Sequence, residues 1–280
     1  MREGIFMSLE ESEKRQEGYN KSLSSKIKKW INDSLTLGEM EARRLRHDPT
    51  ELFTRAVQPV LWLLVFGETF TRIKAIPTGG VPYIAFMTPG ILSQSVLFIS
   101  IFYGLALIWD RDQGIIQKFL ALPVPRSAFV VGRTMGAAVR GLSQAVIILL
   151  LALIIKVDIR WSIFSVLGTI FVVVLESAFF SCFSMILASL MRTRERFMGI
   201  GQVLTMPLFF ASSAIYPISI MPKWLQVVAV ANPLSYVVEI LRSILITGVY
   251  DNMLLHLGLL IVMILVAIII ATILYPRLAS

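Results

Sequence analysis

Long apolar runs separated by short charged segments dominate this chain. A transmembrane helix needs about 20 apolar residues, and several runs reach that length with one charged residue or none. The pattern predicts six membrane spans, at residues 52–70, 83–108, 128–155, 161–191, 197–222 and 253–276. A single soluble all-α core is the alternative, but it requires several helices that are apolar on every face. The sequence therefore predicts an all-α integral membrane protein.

The charged residues add an orientation to this pattern. Hydrophobic residues make up 56% and charged residues 16% of the chain, and the mean hydropathy is +0.76, which excludes an ordinary soluble domain. Six spans place both termini on one side, which carries 18 Lys and Arg residues against six on the other. The positive-inside rule predicts cytoplasmic termini in a multi-pass protein of the plasma membrane. The net charge of +8 is thus a topology signal, and nucleic-acid binding is not expected.

The residues before the first span divide into two parts. Residues 1–24 are polar and charged, without the apolar stretch of a signal peptide, and are predicted to form a disordered cytoplasmic tail. Residues 25–47 place aliphatic side chains near helical spacing, as expected of an amphipathic helix in the headgroup region. A solvated cytoplasmic helix is the alternative. Asp48 and Pro49 form a helix start, so the six-helix transmembrane domain is assigned to residues 48–280.

A charged and amphipathic segment, residues 109–133, lies between the second and third spans. Two aspartates and an arginine end the second span in water, and a glycine allows a turn. Apolar residues then line one side of a short helix that two prolines end. Such a helix could transmit the movement of a bound partner protein to the membrane spans. An ordinary amphipathic loop helix without this role is the alternative. The candidate contact residues are Asp110, Arg111, Asp112, Gly114, Ile116, Phe119, Leu120, Pro123 and Arg126.

Residues 218–252 are predicted to form two short helices on the outer side. One follows a proline, and the other begins at Asn232 as N-cap with Pro233 as its first residue. Both helices are too short to span the membrane, so we expect them to enter the outer leaflet and return. Glu239 and Arg242 are three residues apart and are expected to pair on the second helix, in preference to contacting a substrate.

Polar side chains inside the spans are costly, which makes them candidates for function. Arg140 and Glu176 lie in consecutive spans; either they pair with each other, or Glu176 faces a dimer pathway. Four glutamines in four different spans either line a translocation path or hydrogen-bond the helices together. They are Gln58, Gln94, Gln144 and Gln202.

Other chemistry is not indicated. The two histidines lie on opposite sides of the predicted membrane, so they build no metal site with the single cysteine. No G-x-x-x-x-G-K-[ST] phosphate-binding loop occurs, so we expect this chain to bind no ATP and no other cofactor. A membrane-embedded enzyme requires clustered carboxylates or histidines, for which Asp110 and Asp112 are the sole candidates. Nothing resembles the selectivity filter of a channel.

Two blocks of sequence resemble ABC-2 type transporter permeases. In that family the cytoplasmic loop runs R-E-x-G-T, then P-V-S-R, then G-K/R, and this chain has RDQGI at 111–115, PVPR at 123–126 and GR at 132–133. Asp112, Ile115 and Pro125 depart from the usual Glu, Thr and Ser. The second block is N-P-L-[ST]-Y with a downstream arginine, and it is matched by Asn232, Pro233, Leu234, Ser235, Tyr236 and Arg242. The resemblance runs from about residue 34 to the C-terminus and is closest to the daunorubicin-resistance type of drug exporter.

The resemblance implies one half of an exporter that moves a drug, lipid or polysaccharide-type substrate out of the cytoplasm. Such permeases have six spans, form homodimers or heterodimers among membrane lipids, and bind separate ATPase subunits. The 109–126 loop and the N-terminal interfacial helix make that contact. ATP and Mg then belong to the ATPase subunit, and this chain is not itself an enzyme. A membrane-embedded lipid-modifying enzyme is the alternative.

Overall fold

The computed structural model describes residues 25–41, 43, 50–73, 76–122, 124–191 and 193–279. All regular elements in these residues are helical. In chain order they are α1 (25–41), α2 (Thr50–Leu61, continued by the π-helical turn Trp62–Gly67 and by Glu68–Ile73), α3 (Tyr83–Asp112), α4 (Ile115–Leu120), α5 (Arg126–Ile154), α6 (Ile163–Leu190), α7 (Arg194–Phe210), α8 (Lys223–Ala231), α9 (Pro233–Arg242, continued by the π-helical turn Ser243–Thr247) and α10 (Met253–Leu278). The predicted tail 1–24, the predicted cap at Asp48 and Pro49, and Pro123 lie outside the described residues.

Four of the six predicted spans are confirmed. Within the part of the chain that the structure describes, α3, α5, α6 and α10 are long and apolar enough to cross a membrane. The bent pair of α8 and α9 makes a fifth only if it is counted as one broken span. The first and fifth predicted spans are the two that the structure alters.

The predicted first span, residues 52–70, is helical but is not one continuous α-helix. Pro59 lies inside α2, where it removes one hydrogen bond of the helix ladder. One turn later the ladder widens to the π-helical turn Trp62–Gly67. The longest uninterrupted α-helical segment of α2 is therefore 12 residues.

The predicted fifth span, residues 197–222, is shorter than its apolar run. α7 has 17 residues and ends at Phe210. Beyond it, Pro217 and Pro222 adopt extended backbone, with ψ of 143° and 149°. Proline cannot continue a helix ladder, so the apolar run proceeds as a non-helical segment toward α8.

Three helices begin at residues whose side chains cap them. Ser162 accepts a hydrogen bond from the backbone of Ser165 at the start of α6, and Thr193 accepts one from Arg196 at the start of α7. Asn232 does the same for α9, where Pro233 is the first residue as predicted. Each cap satisfies a backbone N–H that the helix itself leaves without a partner.

α3 is the central helix of the bundle. The buried fraction of its apolar stretch is 78%, against 22% for α10. Its residues Ile91, Leu92 and Val96 form a core with residues of α5, α6 and α9. Small residues bring α3 and α6 close, since the Ser184 hydroxyl donates to the Ile101 carbonyl.

The outer surface of the bundle is strongly apolar. Ile154, Ile163 and Leu254 are each more than two thirds exposed, at 74%, 81% and 78%. A soluble protein rarely exposes large contiguous apolar patches, whereas lipid accommodates them. The helices and this surface together describe a multi-pass membrane protein.

Candidate functional site

The N-terminal helix α1 packs directly on α5. The Trp30 Nε1 donates a hydrogen bond to the Ser127 hydroxyl at 2.9 Å. A Cβ at Gly132 would lie 2.5 Å from the Cβ of Leu37, and one at Gly136 would lie 2.6 Å from the Cβ of Glu41. The two glycines of α5 therefore permit a close helix crossing that any larger residue would push apart.

A second face of α1 remains free of the bundle. Ile27, Ile31 and Leu35 are four residues apart in turn and all exposed, so they form one apolar stripe. This stripe supports the prediction of an amphipathic helix at the membrane surface. The sequence pattern did not indicate that the other face of α1 packs on α5.

Buried charges join α1, α3 and α5. Arg133 forms ion pairs with Glu41, at 2.9 Å, and with Asp110. Arg140 lies 3.8 Å from Glu41, with its guanidinium 4.3 Å from the centre of the Tyr103 ring. We call Glu41, Tyr103, Asp110, Arg133 and Arg140 the inner ion cluster. The sequence signal for it was the presence of two arginines in one apolar helix, which require buried counterions.

The prediction that Asp110 ends the second span in water is wrong. Asp110 is buried, because Arg133 draws its carboxylate into the bundle. Asp112 is the aspartate that lies at the surface. Neither Glu41 nor Arg133 was among the candidate residues.

Arg140 and Glu176 do not pair. The ion-pair partner of Arg140 is Glu41, and the fully buried Glu176 carboxyl lies beside the Ser93 hydroxyl of α3. At this level α5 and α6 approach each other through the next residues along, Gly141 and Ser177. Successive helical residues differ by about 100° in direction, so this contact turns Arg140 away from α6.

Helix α4 has its apolar face toward the bundle. Ile116 is fully buried, and Phe119 and Leu120 are half-buried. The Phe119 ring lies 5.5 Å from that of Phe129, which lies 5.9 Å from that of Tyr275 in α10. Phe119 and Leu120 therefore pack mainly on the bundle. Only the exposed part of each side chain is available for the predicted contact with a partner. Within α4 and the two residues after it, the exposed side chains are those of Gln117, Lys118, Ala121 and Leu122.

The turn into α4 is tied to the start of α7. Gly114 adopts the predicted turn, with a left-handed φ of 70°. Arg111 donates to the Met191 carbonyl at 2.9 Å, and Asp112 pairs with Arg194 at 2.8 Å. The Arg194 guanidinium also lies 4.2 Å from the centre of the Trp109 ring. Arg111 and Asp112 therefore connect this turn to α7, and Arg126 is the first residue of α5.

Three of the four intramembrane glutamines meet in one cavity. Its volume is about 380 Å³, and it lies between α2, α3 and α7 with Gln58, Gln94 and Gln202 in its lining. Phe98 and Phe102 form an aromatic wall, with ring centres 6.0 Å apart. We call this the amide cavity. Gln144 does not line it and is instead buried on α5.

The second predicted block, residues 232–242, fastens the bent pair of α8 and α9 to the end of α7. The axes of the pair differ by 82°. The Asn232 side-chain amide donates to the Leu208 and Ala211 carbonyls at 2.6 and 3.1 Å. The Tyr236 hydroxyl donates to the Val230 carbonyl at 2.5 Å. The residues of this motif thus form one capped corner.

Glu239 and Arg242 do not form the predicted direct ion pair, although the Glu239 charge still acts on the Arg242 guanidinium. Arg242 donates to the Ser213 carbonyl at 2.6 Å, and its guanidinium lies 3.8 Å from the centre of the Phe86 ring. Glu239 lies 3.8 Å from Nδ1 of His256. The non-helical segment after α7 presents a backbone carbonyl to Arg242, and this buried partner replaces the expected surface pair.

Comparison with known proteins agrees with this architecture. Residues 34–246 match the family described as ABC-2 type transporter. The chain is 30% identical over 204 residues to a protein named transport permease ycf38 from Cyanophora paradoxa, covering 71% of this chain and 69% of the relative. It is 25% identical over 200 residues to the daunorubicin resistance ABC transporter permease protein DrrB1 of Streptomyces coeruleorubidus, covering 71% and 70%. Nodulation protein J of Rhizobium leguminosarum bv. viciae is 24% identical over 221 residues, covering 78% and 84%.

The match extends from α1 to the end of α9 and includes the loop of α4, the amide cavity and the capped corner at Asn232. This family consists of transport permeases and not of enzymes, so the alternative of a lipid-modifying enzyme is discarded. The chain belongs to the ABC-2 type transporter family and is a multi-pass membrane transport permease.

Proposed function

We propose that this chain is the transmembrane subunit of an ATP-binding cassette exporter and moves an amphiphilic organic molecule out of the cytoplasm. A separate ATPase subunit would bind ATP and Mg and supply the energy, since the sequence has no phosphate-binding loop. The side of the membrane that holds both termini carries 18 Lys and Arg residues, and the other side carries six. This excess supports cytoplasmic termini for a protein of the plasma membrane. One relative is named as a daunorubicin resistance permease, and this name motivates a drug-like substrate.

The amide cavity is the observation that supports the substrate class. The described residues of its lining include amide groups, which both donate and accept hydrogen bonds, and aromatic rings, and none of these described residues is charged. A molecule with a planar apolar body and a few neutral polar groups satisfies such a lining. A volume of about 380 Å³ falls within the range of sites for small organic ligands. Gln58 and Gln202 are exposed in the single chain, so a second permease copy is proposed to complete the path.

The ATPase is proposed to dock against α4 and α1. Gln117, Lys118 and Leu122 present the exposed side of the loop, and the aromatic chain from Phe119 to Tyr275 lies directly behind it. Movement of α4 would therefore reach α5 and α10 through ring contacts. The inner ion cluster provides a second route, from α1 to α3 and α5.

Transport by the purified permease and its ATPase in lipid vesicles tests the proposal. Daunorubicin serves as the fluorescent probe, and ATP is supplied on the side of the ATPase. Replacing Gln94 by leucine removes one polar contact, for which a net hydrogen-bond contribution predicts about two- to tenfold weaker transport. Gln226→Leu, on α8 and outside the amide cavity, is the matched control.

Three results would contradict the proposal. ATP-independent uptake would exclude an ATP-driven exporter. Uptake of the probe from the opposite side would reverse the direction. An unchanged rate for Gln94→Leu, together with a lowered rate for Gln226→Leu, would place the substrate path elsewhere.

A further inference from the structure

A charged groove lies at the end of the bundle opposite α4. Its first part has a volume of about 470 Å³ and its second part about 420 Å³. Pro82 and Asp158 line both parts, so the two are continuous. We call them together the outer groove. Its first part combines apolar walls with charged groups, namely Leu64, Ile84, Ile155, Glu68, Lys156 and Asp158.

Charges of both signs line this groove without neutralising each other. Lys156, Asp158 and Arg160 follow α5 and are all exposed. None of the three has a side-chain hydrogen bond or ion pair with any residue in the described ranges. Glu68 is different, because it pairs with Arg72 of its own helix at 3.1 Å. The described residues of the groove thus offer two cations and one anion to a ligand.

The backbone at Lys156 is unfavourable for lysine. Its φ is 55°, and it is the one non-glycine residue with positive φ among those described. The Val157 N–H donates to the Ala152 carbonyl at 2.8 Å across it, which closes the C-terminus of α5. Glycine is the residue that this closing motif favours, because a side chain is strained in the left-handed region. A lysine charge is therefore present where local folding alone would prefer glycine.

The outer groove lies just beyond Ile154, where the candidate membrane span α5 ends. Leu64, Leu153 and Ile154 around it are exposed. The Phe164 and Tyr250 rings are 6.1 Å apart in an edge-to-face contact near the same end of the bundle. Aromatic side chains are enriched where acyl chains meet headgroups. An occupant that enters this groove from the bilayer therefore presents both acyl chains and a headgroup.

We propose that the outer groove binds one phosphatidylethanolamine molecule. Its phosphate lies between Lys156 and Arg160, its ammonium donates to Asp158, and an acyl chain packs on Leu64 and Ile84. An anionic lipid without an amine would leave the Asp158 carboxylate facing a phosphate. Phosphatidylcholine carries no N–H to donate to Asp158. The assignment depends on charge and position at the interface, and it holds for either orientation of the protein in the membrane.

Native mass spectrometry of the purified full-length protein tests this binding. The protein is placed in phosphatidylcholine nanodiscs containing a minor fraction of phosphatidylethanolamine or of phosphatidylglycerol, and retained lipids are counted after release. We expect one phosphatidylethanolamine per chain. Lys156→Gly and Asp158→Asn should each weaken its retention by about fivefold, the upper range for one solvent-accessible charge pair. Lys223→Gln, which removes an exposed lysine at the start of α8, should leave retention unchanged.

Lys156→Gly also separates binding from folding. Without phosphatidylethanolamine its melting temperature should equal or exceed that of the unmodified protein, because glycine relieves the left-handed strain. The rise in melting temperature on adding phosphatidylethanolamine should be lost. Equal retention of phosphatidylglycerol and phosphatidylethanolamine, or unchanged retention in both Lys156→Gly and Asp158→Asn, would overturn the proposal.

Discussion

Arg133 is expected to be the most sensitive charged residue of the cytoplasmic half. Replacing it by methionine leaves the Glu41 and Asp110 carboxylates, whose side chains are 1% and 6% exposed, without their shared cation. Breaking a buried ion pair by removing one partner costs about 3–5 kcal/mol. A chain of this size loses roughly 2–4 °C of melting temperature per kcal/mol, so we expect Arg133→Met to lower it by roughly 6–20 °C.

Further variants identify the cause of this loss. Neutralising the other charges of the cluster in the same background, with Glu41→Gln, Asp110→Asn and Arg140→Met, should restore much of the melting temperature. Replacing a whole buried ion network by neutral groups is often close to neutral in stability. Arg196→Met is the control, since Arg196 is an exposed arginine at the start of α7. Melting is followed by intrinsic tryptophan fluorescence of the purified protein.

The same variant should release α1 from α5. Ser34 is 3% exposed where α1 packs, so a cysteine placed there in a Cys182→Ala background should react slowly with a thiol reagent. Arg133→Met should make it react faster, because the shorter of the two ion pairs that join Glu41 to α5 is lost. A melting temperature equal to that of Arg196→Met, or a fully neutralised variant less stable than Arg133→Met alone, would refute the role assigned to the inner ion cluster.

Three further predictions concern the proposed exporter. The purified chain should show no ATP turnover above a contaminant control until its ATPase subunit is added, because it has no phosphate-binding loop; turnover by the chain alone would exclude this division of labour. In intact cells, an impermeant thiol reagent should label a cysteine at Lys223 and not one at Lys118, in a Cys182→Ala background, and the reverse pattern would invert the topology. Phe119→Asp should abolish co-purification of the ATPase and stop export, since a charge at a packed aromatic contact displaces α4. Arg242→Ala, whose contacts are with Ser213 and Phe86 at the far end, should leave ATPase binding intact; normal binding by Phe119→Asp would show that α4 is not the coupling element.

Several local features were correctly predicted because each depends on residues close together in the chain. The apolar runs that became α3, α5, α6 and α10 were long enough to identify without any partner. The left-handed turn at Gly114 and the cap at Asn232 follow from the conformations that glycine and asparagine favour. The length of α7 was overestimated, because apolar composition continued past the point where the helix ends at Phe210.

The charged pairs could not be predicted in the same way. The sequence suggested Glu176 as a partner of Arg140, but Arg140 pairs with Glu41. It predicted Glu239 as the partner of Arg242, but Arg242 donates to the Ser213 carbonyl. Both outcomes depend on the rotation of a helix about its own axis, which sequence spacing does not specify. The convergence of Gln58, Gln94 and Gln202 depends in the same way on how three helices face each other.

By itself the sequence determined the membrane class, four of the spans and the start of α9 at Asn232, since burial in lipid and backbone hydrogen bonding act on contiguous residues. Only the tertiary structure decided which polar groups meet inside the bundle. Gly132 and Gly136 set how closely α1 approaches α5, and that approach places Glu41 beside Arg133. These residues lie about ninety positions apart in the chain, and a contact over that separation depends on the packing of complete helices.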